Sequence, residues 1–235
     1  MSIVEIVIIT LLSIIQSIFG VGLLIIGTPV FLQLGYEFYS VLNILLPFSI
    51  LISFLQFLTD KSTDNEFKKG FLMVSIPFLI ISLMILKYFY DHIDIIRIVA
   101  LVMIVFSIVN LMIFNNYLKL KINRFYMFFG LGTLGILHGF TNLGGSLLTL
   151  LSSNISQDKI VVRSNISFGY LVFGLIQISY IALYTNSFTL INPIYLVIPL
   201  LAFFISQSIY HATSSMAFSV LLNMFILLYG IYILI

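Results

Sequence analysis

The sequence predicts an all-α polytopic membrane protein built as two inverted repeats, each with a glycine-broken hairpin plus about three transmembrane helices. Three observations carry that expectation. Of the 235 residues, 61% are hydrophobic and 8% charged, whereas a soluble domain carries about 25% charged residues. Apolar runs near the length of a bilayer helix, about 20 residues, recur between short polar stretches. Two polar, glycine-bearing breaks at 16–24 and 138–146 interrupt those runs 122 positions apart. Backbone of that kind at membrane depth persists only where protein or a water-filled cavity surrounds it. Paired breaks in corresponding places of two halves point to a transporter's binding site.

Composition removes several function classes. The net charge of +2 comes without a basic cluster outside short loops, so nucleic acid is not an expected partner. There is no cysteine, which excludes disulfides, thiolate chemistry and Cys-ligated metal. The three histidines are far apart with no HxxxH spacing, so neither a metal site nor a cofactor is expected. The first 19 residues carry Glu5 and no cation, unlike a cleaved signal peptide.

In chain order, 3–19 is an apolar segment that stops at Gly20-Val21-Gly22. The stretch 23–34, with Thr28-Pro29, is too short to span alone. A span at 40–58 holds Asn43, Pro47, Ser53 and Gln56, and the loop 60–69 is the first strongly charged one. Spans follow at 70–90 and 95–114, and the polar loop 115–124 separates the repeats, placed at 1–118 and 119–235. In the second repeat, 125–137 reaches the central break and 147–151 leaves it. The polar loop 152–163 leads to spans at 164–184, 193–210 and 217–235. Tyrosines such as Tyr36, Tyr88, Tyr126, Tyr184 and Tyr210 gather near segment ends, as interfacial aromatics do. With the offset of 122, Gly22 falls on Gly144, Asn43 on Asn165, Pro77 on Pro199 and Tyr88 on Tyr210.

Charge orders the topologies. Lysine and arginine in short loops concentrate on the cytoplasmic side. If each break forms a hairpin that returns to its starting side, one face holds Lys61, Lys68, Lys69, Lys119, Lys121, Arg124, Lys159 and Arg163, against Lys87 and Arg97 on the other. That eight-to-two division exceeds the six-to-four of parallel halves with four crossings each, so the inverted arrangement is expected, with both termini outside.

The breaks are also where chemistry is expected. A broken helix leaves unpaired N–H groups and partial positive charge at the start of the next half-helix, a ready anion site. Gly144, Gly145 and Ser146 would offer backbone and hydroxyl donors, with Gly20 and Gly22 supplying the same from the other break. Asn142, Asn43 and Asn165 are the candidate lining residues, and His138 is a candidate proton carrier or a hydrogen-bonded structural histidine. The same glycines could instead serve close helix packing, and the asparagines could be caps. No acidic residue lies deep in a span, which disfavours a carboxylate relay or a carboxylate cation site. Leu147 follows Ser146, so a serine-nucleophile surround is missing and no enzyme activity is expected.

The two breaks, 19–24 with Pro29 downstream and 139–148, are each followed by a loop of similar length. A span then opens with a small polar stretch, Ser40-Val41-Leu42-Asn43 or Arg163-Ser164-Asn165. In these features the chain resembles the sulfite-exporter (TauE/SafE-like) family of membrane permeases over both halves. It departs from the pattern in lacking a run of three glycines at the first break and a proline after the second, where Leu151 stands. The resemblance implies export of a sulfur-containing oxyanion such as sulfite or an organosulfonate. The expected protein is therefore a multi-pass permease of a bacterial or archaeal plasma membrane. Its expected partners are a small anion and the lipid bilayer. A transporter of neutral or cationic solutes and a non-transporting membrane scaffold are the rival readings.

Overall fold

A computed structural model describes residues 1–89, 92, 94–114, 124–156, 158–185, 187–212, 227–228 and 231–232. The 118/119 repeat boundary, most of the 115–124 loop with Lys119 and Lys121, and most of the expected last span lie outside the described residues. Among the described residues there is no strand. The helices are α1 (Ile3–Phe19), α2 (Leu23–Gln33), α3 (Phe38–Asp60), α4 (Asn65–Phe89), α5 (Ile95–Phe114), α6 (Arg124–Thr141), α7 (Gly145–Ile155), α8 (Lys159–Tyr184) and α9 (Pro193–Ala212).

Four of them, α3, α4, α8 and α9, are long and apolar enough to cross a membrane. Large apolar side chains also face outward, including Met73, Phe129, Phe204 and Ile205, each more than 60% exposed. A belt of that kind suits lipid and not water.

Local chemistry explains where helices begin and end. Ser2 caps α1 reciprocally with Glu5: Glu5 N–H donates to Ser2 Oγ at 3.3 Å and Ser2 Oγ to Glu5 Oε1 at 2.8 Å. Helix α4 begins five residues before the expected span because Asp64 accepts from Phe67 N–H at 2.7 Å. Helix α8 takes in Lys159 to Arg163, expected as loop, because Asp158 Oδ1 accepts from Ile160 N–H at 2.9 Å. Helix α6 runs on through His138, Gly139 and Phe140 to Thr141, so the second break narrows to Asn142–Gly144. Gly135 and Gly139 serve packing there: a Cβ on either would collide with α4, at Ser75 O and at Ser82 Oγ respectively.

Directions follow from pairs of contacts. Tyr36, just past α2, donates to Glu5 at the start of α1, so α1 and α2 form a hairpin that returns to its own end. Leu151 of α7 packs on Gly130 of α6, which makes the second hairpin. Asn43 near the start of α3 donates to Ser187 O beyond α8, while Asn165 near the start of α8 accepts from Asp64 N–H beyond α3. The two central helices are therefore antiparallel. On α4 and α6 the pairs Ser75–Leu131 (2.9 Å) and Ser82–Gly135 (3.4 Å) ascend together, so those helices are parallel. Helix α1 runs parallel to α9, since Met1 lies at Tyr195, while Arg163 touches both Ser17 and Tyr210. One end of the bundle thus carries Met1, Tyr36, Asn43 and Ser187. The opposite, cation-rich end carries Asp60, Lys61, Lys68, Lys69, Lys159 and Arg163.

Candidate functional site

The second elbow is built from the end of α6. His138, Thr141 and Asn142 are fully buried. Asn142 sits at φ 62° and donates its N–H to His138 O at 2.8 Å, a left-handed cap that asparagine tolerates better than most residues. Its Nδ2 donates to Thr28 Oγ1 on α2 at 2.9 Å, so the elbow of one half is tied to the half-helix of the other. Gly144 N–H donates to His138 Nδ1 at 3.2 Å, which leaves the proton of the neutral imidazole on Nε2. The ring stacks on Phe173, with centroids 4.5 Å apart and planes at 19°. Gln177 Nε2 reaches His138 O at 3.5 Å.

The amide of Gly144 is therefore engaged, and the unpaired donors begin one residue later. The first helix-type bond of α7 is Leu148 N–H to Gly144 O at 2.9 Å. The N–H groups of Gly145, Ser146 and Leu147 precede it and carry the partial positive charge of a helix start. Tyr170 brings its hydroxyl to this point: a Cβ on Gly145 would overlap Tyr170 Oη, so only glycine admits it. Ser146 lies half-buried in the same turn. Two buried polar atoms here, Tyr170 Oη and Asn142 Oδ1, have no protein partner, while the side chains of His138 and Gln177 face each other. An unsatisfied buried polar atom costs about 1–3 kcal/mol, so two of them mark a place suited to a polar ligand.

The first elbow is the counterpart. Gly20 caps α1 at φ 76°, its N–H on Gln16 O at 2.7 Å, as Asn142 caps α6 on His138. The two caps lie 122 positions apart. Gly22 turns the chain at φ 138°, and a Cβ there would strike Ile15. Gln56 Nε2 donates to Gln16 O and Ser17 O at 2.8 and 3.0 Å, and so adds a second donor to carbonyls at the end of α1. Leu23, Leu24 and Ile25 offer the unpaired amides of α2, ahead of Ile26 N–H to Gly22 O at 2.9 Å. The first turns of α2 and α7 pass side by side and antiparallel, because Thr28 meets Asn142 and Ile25 flanks Gly145.

The structure thus gathers His138, Asn142, Gly144, Gly145 and Ser146 at one elbow, with Gly20 and Gly22 at the other. It does not bring Asn43 to either, and Asn165 lies between Arg163 and Ile166, which border Gly20 at the first elbow. Both are buried where α3 and α8 meet the loops, bonded to Ser187 O and to Asp64 N–H. Two participants were not singled out from the sequence for this site, Tyr170 and Thr28. Tyr170 was detectable as a tyrosine in the middle of a span, away from the interfacial positions that tyrosines favour. Thr28 carried no comparable signal.

No family model, curated protein or solved structure matches the chain.

Proposed function

We propose that the chain is a membrane permease for a small anion, carried between the N-termini of α2 and α7. The observation that supports this best is the unpartnered Tyr170 hydroxyl lodged against Gly145 at the start of α7, a position that only glycine there permits. Donors on neutral groups suit a solute that must be released again, and the buried Arg163 beside the first elbow is already paired with Asp60. Because its Nδ1 accepts from Gly144 N–H, His138 stands here as a neutral imidazole, a hydrogen-bonding side chain and not a source of a transported proton.

An inverted pair of halves is the arrangement that best accounts for the antiparallel α3 and α8. It also accounts for two hairpins entering from opposite ends and for equivalent caps at Gly20 and Asn142. Alternating access would rock one half against the other about this pair. On this reading the cation-rich end faces the cytoplasm, and the membrane is the plasma membrane of a bacterium or archaeon. The resemblance to sulfite exporters makes a sulfur-containing oxyanion the solute to try first, moving outward.

The test is flux of sulfite and of ethanesulfonate in liposomes holding the purified protein. Native protein should exceed protein-free liposomes, and Tyr170→Phe should slow flux about tenfold, the effect of losing one hydrogen bond to a charged group. Background flux of both anions from native protein would refute the proposal.

A further inference from the structure

The one buried ion pair among the described residues lies beneath the first elbow, away from the contact of Gly145 with Tyr170. Asp60 ends α3 in the first half, and Arg163 lies in the first turns of α8 in the second. Arg163 Nη2 and Nε meet Asp60 Oδ1 and Oδ2 at 2.6 and 2.8 Å, a forked pair with side chains only 4% and 7% exposed. The guanidinium lies over the Tyr210 ring of α9, 3.4 Å from its centroid, and Nη1 donates to Ser17 O at the end of α1 at 3.3 Å. Its Cγ and Ile166 border Gly20 at the first elbow. Lys159 adds a bond to Tyr210 O at 3.3 Å and lies over the same ring. Four helices from both halves therefore converge on one guanidinium beneath the first elbow.

A buried ion pair is a poor source of stability compared with apolar packing, and its best-attested use is to specify one arrangement over another. This pair is geometrically strong, because a planar fork meets a carboxylate with two parallel bonds. It joins parts that must separate if a path is to open from the cation-rich end to Gly20.

We propose that Asp60 and Arg163 form a latch that closes the cation-rich end of the protein, and that opening this end requires their separation. The structure is the latched state. Tyr210 and the Ser17 carbonyl hold the guanidinium in position while the latch is shut. In the context of the permease reading, the latch is the gate on the cytoplasmic side.

The test uses the full chain, which has no native cysteine, with a single Ser17→Cys substitution. Ser17 is fully buried beside Arg163. An impermeant thiol reagent applied to the cation-rich face should label Ser17→Cys slowly in the native background. With Asp60→Asn, labelling should quicken about tenfold or more, within the range of ordinary two-state coupling, and Asp60→Glu should restore protection. A control cysteine at Leu86, buried at the far end of α4, should stay protected in every background. Unchanged labelling of Ser17→Cys in Asp60→Asn overturns the latch, and so does parallel exposure of Leu86→Cys, which would mean general loosening. The assay needs no transported solute. If Ser17→Cys opens on cue while liposomes show only background anion flux, the latch stands and the anion reading falls. Normal flux with unchanged labelling gives the opposite result.

Discussion

Tyr36 Oη donates to Glu5 Oε1 at 2.6 Å, and that bond closes the first hairpin where α1 begins and α2 has ended. The carboxylate holds the phenol proton and raises Tyr36 above the ordinary tyrosine value, its hydrogen bond with Glu5 being the main cause. A group raised in the folded state stabilises it below its ordinary pKa, near 10, and loses that contribution as pH climbs through the raised value. Tyr36→Phe should therefore lower the melting temperature at neutral pH, by an amount equivalent to about 1 kcal/mol. The difference from native protein should vanish at strongly alkaline pH. A difference that persists unchanged there would show that the bond is not the cause.

Gly145 and Tyr170 are coupled through space. Gly145→Ala should destabilise the protein by about 1–3 kcal/mol, because the new methyl meets a rigid buried ring. Adding Tyr170→Phe should return part of that loss, so thermal unfolding of the double variant should depart from the sum of the single ones. Strict additivity would mean that the hydroxyl does not occupy the place left by the missing Cβ.

Asn142 does two jobs that substitutions can separate. Asn142→Ala keeps neither the left-handed preference nor the bond to Thr28, and should cost about 2 kcal/mol in all. Asn142→Gly keeps the backbone conformation alone and should fall between the two. Thr28→Val should match the side-chain part. Chemical or thermal unfolding in detergent that ranks glycine at or below alanine would remove the strain argument.

Gln56 answers for two backbone carbonyls. Gln56→Leu leaves Gln16 O and Ser17 O without that amide and should cost about 1–3 kcal/mol. The loss should show as faster hydrogen exchange at the end of α1. Exchange there equal to that of native protein would mean that the remaining donors, Gly20 N–H and Arg163 Nη1, suffice for these carbonyls.

The ends of the bundle can be assigned directly. Cysteines placed singly at Lys61 and Lys159 should both be labelled by an impermeant reagent from the same face, because Asp60 and Arg163 bring their segments together. Labelling from opposite faces would contradict the antiparallel packing of α3 and α8.

Helical content, apolar spans and the position of both breaks were legible in the sequence, because each rests on local composition: apolar run length, glycine, and the polar residues beside it. Gly20 and Gly22 sit at φ values that glycine alone adopts readily, so their role was written in residue type. Break width was less legible. Gly139 reads like part of a break, yet it is helical and, with Gly135, lets α4 approach, a role set by a helix 50 or more positions away. Asn43 and Asn165 share residue type with Asn142 but bond to loops instead, since their surroundings come from the opposite half.

By itself, then, the sequence determined an all-helical chain with two elbows in corresponding places, because hydrophobic length and backbone freedom are properties of short stretches. Only the tertiary structure decided what faces those elbows. Tyr170 against Gly145, Thr28 against Asn142 and Asp60 against Arg163 are separated by 25, 114 and 103 positions. Side-chain partners so distant meet only when helices have packed, and packing depends on the shape of every surface brought together.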